Sequence, residues 1–158
     1  ITFVFPFGWF FGRMGCGVVH DHIGKITTSP FGMYFPEGTL RDVEGNVLPW
    51  AVRHELGIYE AAYTLLIAVL LYLGKKDRPP GYFLAMYAIT YAPIRFALDF
   101  LRNTDLQHQD ARYLGLTPGH YSALAMFAAG LWLYSTLDFK SFAPWPMDGE
   151  PNQAERTG

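Results

Sequence analysis

The chain has 158 residues, 51% of them hydrophobic, 17% aromatic and only 16% charged, with a formal net charge of −2. An ordinary soluble domain carries about 25% charged residues, so the balance points to a polytopic membrane protein and gives no footing for a nucleic-acid partner. The single cysteine, Cys16, excludes an intrachain disulfide.

Residues 1–12, ITFVFPFGWFFG, are apolar but too short to cross a bilayer alone. They read as the end of a membrane helix, so further helices are expected upstream of Ile1. No basic n-region marks them as a signal peptide. The stretch GRMGCGVVHDHIG follows, where Gly12, Gly15, Gly17 and Gly24 permit close backbone approach and positive φ. Arg13 stands where the apolar run stops. Residues 25–55 are polar and punctuated by Ser29-Pro30, Pro36-Glu37-Gly38, Glu44-Gly45-Asn46 and Pro49, all turn signals. Between them FGMYF and NVLPWAV are predicted as short strands of a hairpin arm outside the membrane. Tyr34, Phe35 and Trp50 suit an interface.

Residues 57–74, GIYEAAYTLLIAVLLYLG, are predicted to span, with Glu60 near the start. Lys75, Lys76 and Arg78 crowd the next turn and mark it as cytoplasmic by the positive-inside rule. Residues 81–101, GYFLAMYAITYAPIRFALDFL, would run back outward, reaching roughly 30 Å as a helix. Arg95 and Asp99 within this run share a helix face with Tyr87, Tyr91 and Arg102. A charge there costs several kcal/mol unless it faces a cavity or a partner. The face is therefore a site candidate; the alternative is an Arg–Asp pair that pins helices together. Residues 102–118 form a polar outer loop, 119–137 a last span, and 138–158 a disordered cytoplasmic tail. The predicted fold is all-α: a polytopic helical membrane domain over residues 1–137, with about four transmembrane segments and a small periplasmic loop or hairpin arm at 25–56.

This topology brings Arg13, His20, His22, His54, Glu60, Asp99 and Arg102 to the outer ends of their segments, with Arg95 about 10 Å deeper. Guanidiniums bind phosphate bidentately, and an apolar groove beside them would take acyl chains. That combination points to a phospholipid; plain interfacial snorkelling is the alternative for Arg102. His20, Asp21 and His22 with Cys16 and His54 raise a metal site, set against a polar loop of hydrogen-bonded histidines. Their spacing matches no helical ligand pair, and no metal is expected. Cys16 reads as a nucleophile or as a small packing residue, and Glu60 as a complement to a helix dipole. There is no P-loop and no nucleophile elbow.

Four stretches carry a resemblance. FPFGWFFGRMGCGVVHDHIG resembles a signature read as Gly-Arg-x-Gly-Asn, an acidic residue and a closing Gly. RHELGIYE resembles Arg-His-Pro-Ser-Gln-Leu-Tyr-Glu, and YAPIRFALDFLR resembles Tyr-x-x-x-Arg-x-x-x-Glu-Phe-x-Arg. LTPGHYSALAMF resembles a stretch read as Gly-Gln followed by Leu-Ser. In this order and spacing they resemble the prolipoprotein diacylglyceryl transferases of bacterial inner membranes. The resemblance implies a multi-pass enzyme with its site at the periplasmic leaflet and no cofactor. It would move the diacylglyceryl group of phosphatidylglycerol onto the lipobox cysteine of a preprolipoprotein, releasing glycerol phosphate. Its partners would be those two substrates and the bilayer.

Carried over by position, Arg13 and Arg95 would bind and polarise the phosphate, and Asp99, replacing a family Glu, would hold Arg95. Asp21 matches the signature's acidic residue and Gly24 its closing Gly. Tyr91 would line the lipid site, Tyr59 and Glu60 belong to the second motif, and Arg102 closes the third. The departures are Cys16 for Asn, Glu55-Leu56-Gly57 for Pro-Ser-Gln, and His120 for Gln. The family's His-Gly-Gly loop, whose His assists thiol deprotonation, is not within these residues. A lipid-binding homologue without catalysis is the second reading, and a metal-dependent enzyme using His20, His22 and His54 the third.

Overall fold

The computed structural model describes residues 4–74 and 78–137. Among these the chain forms α1 (Phe5–Val18), β1 (Ile23–Ile26), β2 (Met33–Phe35), β3 (Ala51–Glu55), α2 (Leu56–Leu73), α3 (Tyr82–Asp99) and α4 (Pro118–Ser135). The predicted helices at 57–74, 81–101 and 119–137 match α2, α3 and α4 closely. Most of the expected cytoplasmic turn and the whole 138–158 tail lie outside the described residues.

The all-α expectation needs amending. Three short strands make an antiparallel sheet in the order β1-β3-β2, with Met33 opposite Arg53 and Phe35 opposite Ala51. FGMYF contains β2, but NVLPWAV only enters β3 at its end, and β1 was not expected. Four residues including a glycine carry too little alternation to be read as a strand. The arm is also not free-standing. Lys25 N–H donates to the Leu101 carbonyl at 2.8 Å, and Asn103 Nδ2 donates to the Ile23 carbonyl at 2.7 Å. The buried Arg53 donates through Nη1 to Asp105 at 3.0 Å. The loop after α3 thus clamps the sheet into one polar cap over the helix ends.

Residues 12–18, whose glycines would permit positive φ, belong to α1 and take helical backbone angles. Helical glycine is costly, and packing explains its tolerance at one place. A Cβ on Gly57 would lie 2.9 Å from the Gly17 backbone nitrogen, so α1 and α2 touch almost backbone to backbone. β3 runs straight into α2, and Leu56 N–H caps the junction on the His22 carbonyl at 3.0 Å. At the head of α4, Pro118 supplies the fixed φ of a first helical turn.

Between α2 and α3, Ile67, Leu71, Tyr87 and Tyr91 form the apolar core. Tyr87 and Tyr91 stack at 5.1 Å, and Phe5 and Trp9 of α1 meet them edge-on. Large apolar side chains stay exposed on the outer faces, among them Phe11, Leu66, Leu70, Leu124 and Trp132. Among the described residues, α2 alone is long and apolar enough to cross a membrane. At 14 residues, α1 rises only about 21 Å, while α3 carries Arg95 and Asp99 in its second half.

Candidate active site

α3 sets the site. Its face runs Tyr87, Tyr91, Arg95, Asp99, and at its far end Asp99 is fully buried. Such a carboxylate must be paired to stay there, and it is. Arg95 Nη1 donates to Oδ1 at 2.6 Å, and Arg102 Nε lies 3.4 Å from the same oxygen. The Thr117 hydroxyl donates to Oδ2, which lies 3.4 Å from His120 Nδ1. His120 Nδ1 also accepts the Thr117 backbone N–H at 3.2 Å, closing the first turn of α4. The α-carbon of Gly119 completes the wall: a Cβ there would fall 2.5 Å from Asp99 Oδ2.

α1 and α2 bring the second half. Glu60, 1% exposed, lies with Oε1 at 3.0 Å from Arg13 Nε and 3.8 Å from Arg95 Nε. The Arg13–Glu60 approach is an ion pair by distance without hydrogen-bond alignment. Arg13 sits over the Trp9 ring at 4.8 Å, a cation–π contact, while Trp9 Nε1 donates to the Tyr91 hydroxyl at 3.0 Å. Arg13 Nη1 reaches His22 Nε2 at 2.9 Å. Beyond it His22 Nδ1 faces Asp21 Oδ2 at 3.1 Å, and on the opposite side Arg102 Nε pairs with Asp110 at 2.9 Å.

The result is a continuous chain of charge from Asp21 through His22, Arg13, Glu60, Arg95 and Asp99 to Arg102 and Asp110. Three mostly buried guanidiniums, Arg13, Arg95 and Arg102, face the two fully buried carboxylates Glu60 and Asp99, with the exposed Asp21 and Asp110 at the two ends. The tyrosine and tryptophan rings beneath form an apolar wall. Burial and the guanidiniums of Arg102 and Arg13 hold His22 below the ordinary histidine value. Away from the cluster, burial pushes the Glu55 carboxyl up, opposed by His20 3.2 Å away.

Arg13, Arg95, Asp99, Glu60, Tyr91 and Arg102 therefore come together, with Asp21 at one end. Gly24 and Tyr59 stand outside. Gly24 packs where a Cβ would sit 2.7 Å from the Leu101 carbonyl oxygen. The Tyr59 hydroxyl donates to the Phe31 carbonyl at 2.9 Å and meets His54 Nδ1 at 3.0 Å. The histidines do not converge as a metal set. His20 pairs with Glu55 and His54 with Tyr59. Cys16, Asp21 and His22 do have ligand atoms within 4.8 Å of one another, but the Arg13 guanidinium occupies the His22 ring and disfavours a cation.

Sequence reasoning missed Trp9 and Thr117, and it named His22 only as a possible metal ligand and His120 only as a departure from Gln. Thr117-Pro-Gly-His120 carries a signal: a Thr three residues ahead of a side chain able to return a hydrogen bond is a capping box. His in place of Glu or Gln hid it.

A family model described as prolipoprotein diacylglyceryl transferase matches residues 1–136. A phosphatidylglycerol–prolipoprotein diacylglyceryl transferase of Nitratidesulfovibrio vulgaris (strain DP4) is 34% identical over 130 residues, covering 81% of this chain and 46% of its own. The protein of that name from Chlorobaculum tepidum is 33% identical over 128 residues, 80% of this chain and 41% of its own. One from Caulobacter vibrioides (strain NA1000 / CB15N) is 33% identical over 141 residues, 82% and 45% respectively. The chain spans less than half the length of these curated relatives. No solved structure matches it.

Proposed function

Because the chain belongs to the prolipoprotein diacylglyceryl transferase family, we propose that it forms the lipid-activating part of such an enzyme. The full protein would transfer the diacylglyceryl group of phosphatidylglycerol to the lipobox cysteine of preprolipoproteins. The observation that carries this reading is the buried Arg13–Glu60–Arg95–Asp99 chain above an aromatic wall. In the reaction a thiolate attacks the glyceryl carbon, the carbon–oxygen bond breaks, and glycerol phosphate leaves with the electron pair. Charge grows on the phosphate, and fixed guanidiniums stabilise it where water is excluded. Glu60 and Asp99 hold Arg13 and Arg95 aimed before the lipid arrives, so little reorganisation remains. Arg102 adds charge at the rim, Asp21 orients the Arg13 side through His22, and Tyr91 with Trp9 walls the acyl region. Gly24 and Tyr59 act by holding the cap on the helix ends.

The exposed apolar belts on α1, α2 and α4 support a membrane-embedded bundle of about four helices over residues 1–137. The cap at 25–56 would face the periplasm, and the 75–78 turn and the tail the cytoplasm, in the bacterial inner membrane. The test is full-length protein incubated with glycerol-labelled phosphatidylglycerol and a lipobox peptide, followed by thin-layer separation. Release of labelled glycerol phosphate, dependent on the peptide cysteine, supports transfer. Lipid binding without release would instead favour the non-catalytic homologue.

A further inference from the structure

Two hydroxyls beneath the charged cluster have nothing to bond. Among the described residues, Thr64 Oγ1 on α2 and the Tyr87 hydroxyl on α3 are the two hydroxyls buried without a hydrogen-bond partner. Thr64 is 0% exposed and Tyr87 4%. Nearby residues show what satisfied hydroxyls do in these helices. Thr90 Oγ1 donates back to the Met86 carbonyl at 2.6 Å, and the Tyr91 hydroxyl accepts the Trp9 indole N–H at 3.0 Å. Thr64 makes no such bond to its own helix. Glu60 and Thr64 both stand near the Tyr87 hydroxyl, yet neither is aligned with it as a hydrogen bond. Even with one hydroxyl donating to the other, a proton is left over. An unpaired hydroxyl in apolar surroundings is costly, so the pair calls for an acceptor.

We propose that Thr64 and Tyr87 are the seat for the ester carbonyls of the lipid, donating hydrogen bonds to them while Arg13 and Arg95 hold its phosphate. This rests on the transferase reading above. Thr64 follows Glu60 by four residues on one face of α2, about 6 Å farther from the cap. Tyr87 stands on the α3 face that carries Arg95 two turns later. The hydroxyls thus form a layer beneath the guanidiniums, and the apolar core of Ile67 and Leu71 lies beneath them in turn. A phospholipid has the same order: phosphate, then across the glyceryl unit the ester carbonyls, then the acyl chains. An ester carbonyl only accepts, which is what the surplus hydroxyl proton lacks. Access runs between α1 and α3 past Phe5, whose half-exposed ring lies edge-on against Tyr87 and must turn aside. Carbonyls held at this depth fix the glyceryl carbon beside the arginines. They also make the seat selective for acyl over alkyl chains, because an ether-linked lipid leaves both hydroxyls buried and unpaired.

The test uses the full-length protein, a lipobox peptide, and phosphatidylglycerol with either ester-linked or ether-linked chains of equal length. Wild type is expected to form thioether from the diester lipid with a kcat/KM about tenfold above that for the diether lipid. Thr64→Val and Tyr87→Phe keep the side-chain shapes, and each should bring the diester value down toward the diether one. A second measurement needs no turnover. Bound phosphatidylglycerol with isotope-labelled ester carbonyls should show an infrared carbonyl band shifted to lower frequency, and the Thr64→Val/Tyr87→Phe double variant should lose that shift. Equal kcat/KM for both lipids with wild type, or a shifted band that the double variant retains, overturns the seat and leaves buried water as what satisfies the hydroxyls; the transferase reading then still stands. A shifted band that the double variant loses, with no thioether formed from either lipid, keeps the seat and overturns the transferase reading.

Discussion

At the residue scale, Asp99 carries the most consequence, because four side chains converge on one carboxylate. Asp99→Asn leaves Arg95 buried without its charge partner and is expected to cost about 3–5 kcal/mol, read as a fall in the unfolding temperature in detergent. Arg95→Lys should fold as wild type yet lose about a hundredfold or more in transfer. Lysine keeps the charge but not the planar fork that serves Asp99, Glu60 and a phosphate together. His22 gives a pH dependence. Its folded-state pKa is held below the ordinary 6.5 by burial and then by Arg102 and Arg13, so the unfolded chain binds the extra proton first. Stability conferred by the neutral ring is present above about pH 6.5 and lost as pH falls through the folded value. Thermal unfolding against pH should show this slope, and His22→Gln should flatten it. Arg95 and Asp99 were legible because two opposite charges one turn apart in an apolar run demand a reason. Trp9 was not, since a tryptophan in a greasy run looks like wall until its Nε1 is seen on Tyr91.

At the element scale, α2, α3 and α4 were legible from apolar length alone, while the glycines of 12–18 gave no sign that α1 runs on to Val18. What holds α1 is the crossing with α2, which no local pattern reveals. That crossing makes an asymmetric expectation. Gly57→Ala places a Cβ against Gly17 backbone, which cannot move aside, whereas Gly17→Ala meets mainly the Ile58 side chain. Gly57→Ala should cost about 1–3 kcal/mol and lower activity by shifting Glu60 away from Arg13. Gly17→Ala should be milder in both readouts. Equal effects would show that the close approach is not what sets the crossing. β1 escaped notice for a similar reason: its partners, β3 and the Leu101–Arg102 turn, are distant in sequence.

At the scale of the whole molecule, the proposed orientation, with the cap outside and the basic turn at 75–78 inside, rests on the positive-inside rule. In a Cys16→Ser background, a cysteine at exposed Thr39 should react with an impermeant maleimide added outside intact cells, and one at Lys76 should not. The reverse pattern would put the charged cluster at the wrong leaflet. Membership of the family was readable from motif order, whereas the joining of charges from α1, α2, α3 and the flanking loops into one chain needed the fold. The most direct measurement is the mass of a lipobox peptide after incubation with phosphatidylglycerol and full-length protein, wild type beside Arg95→Lys. A thioether-linked diacylglyceryl adduct on the peptide cysteine, formed by wild type and nearly absent with the lysine variant at equal folded protein, is the expected result. An unmodified peptide with wild type, or an equal adduct from both, would contradict the role given to the arginine cluster.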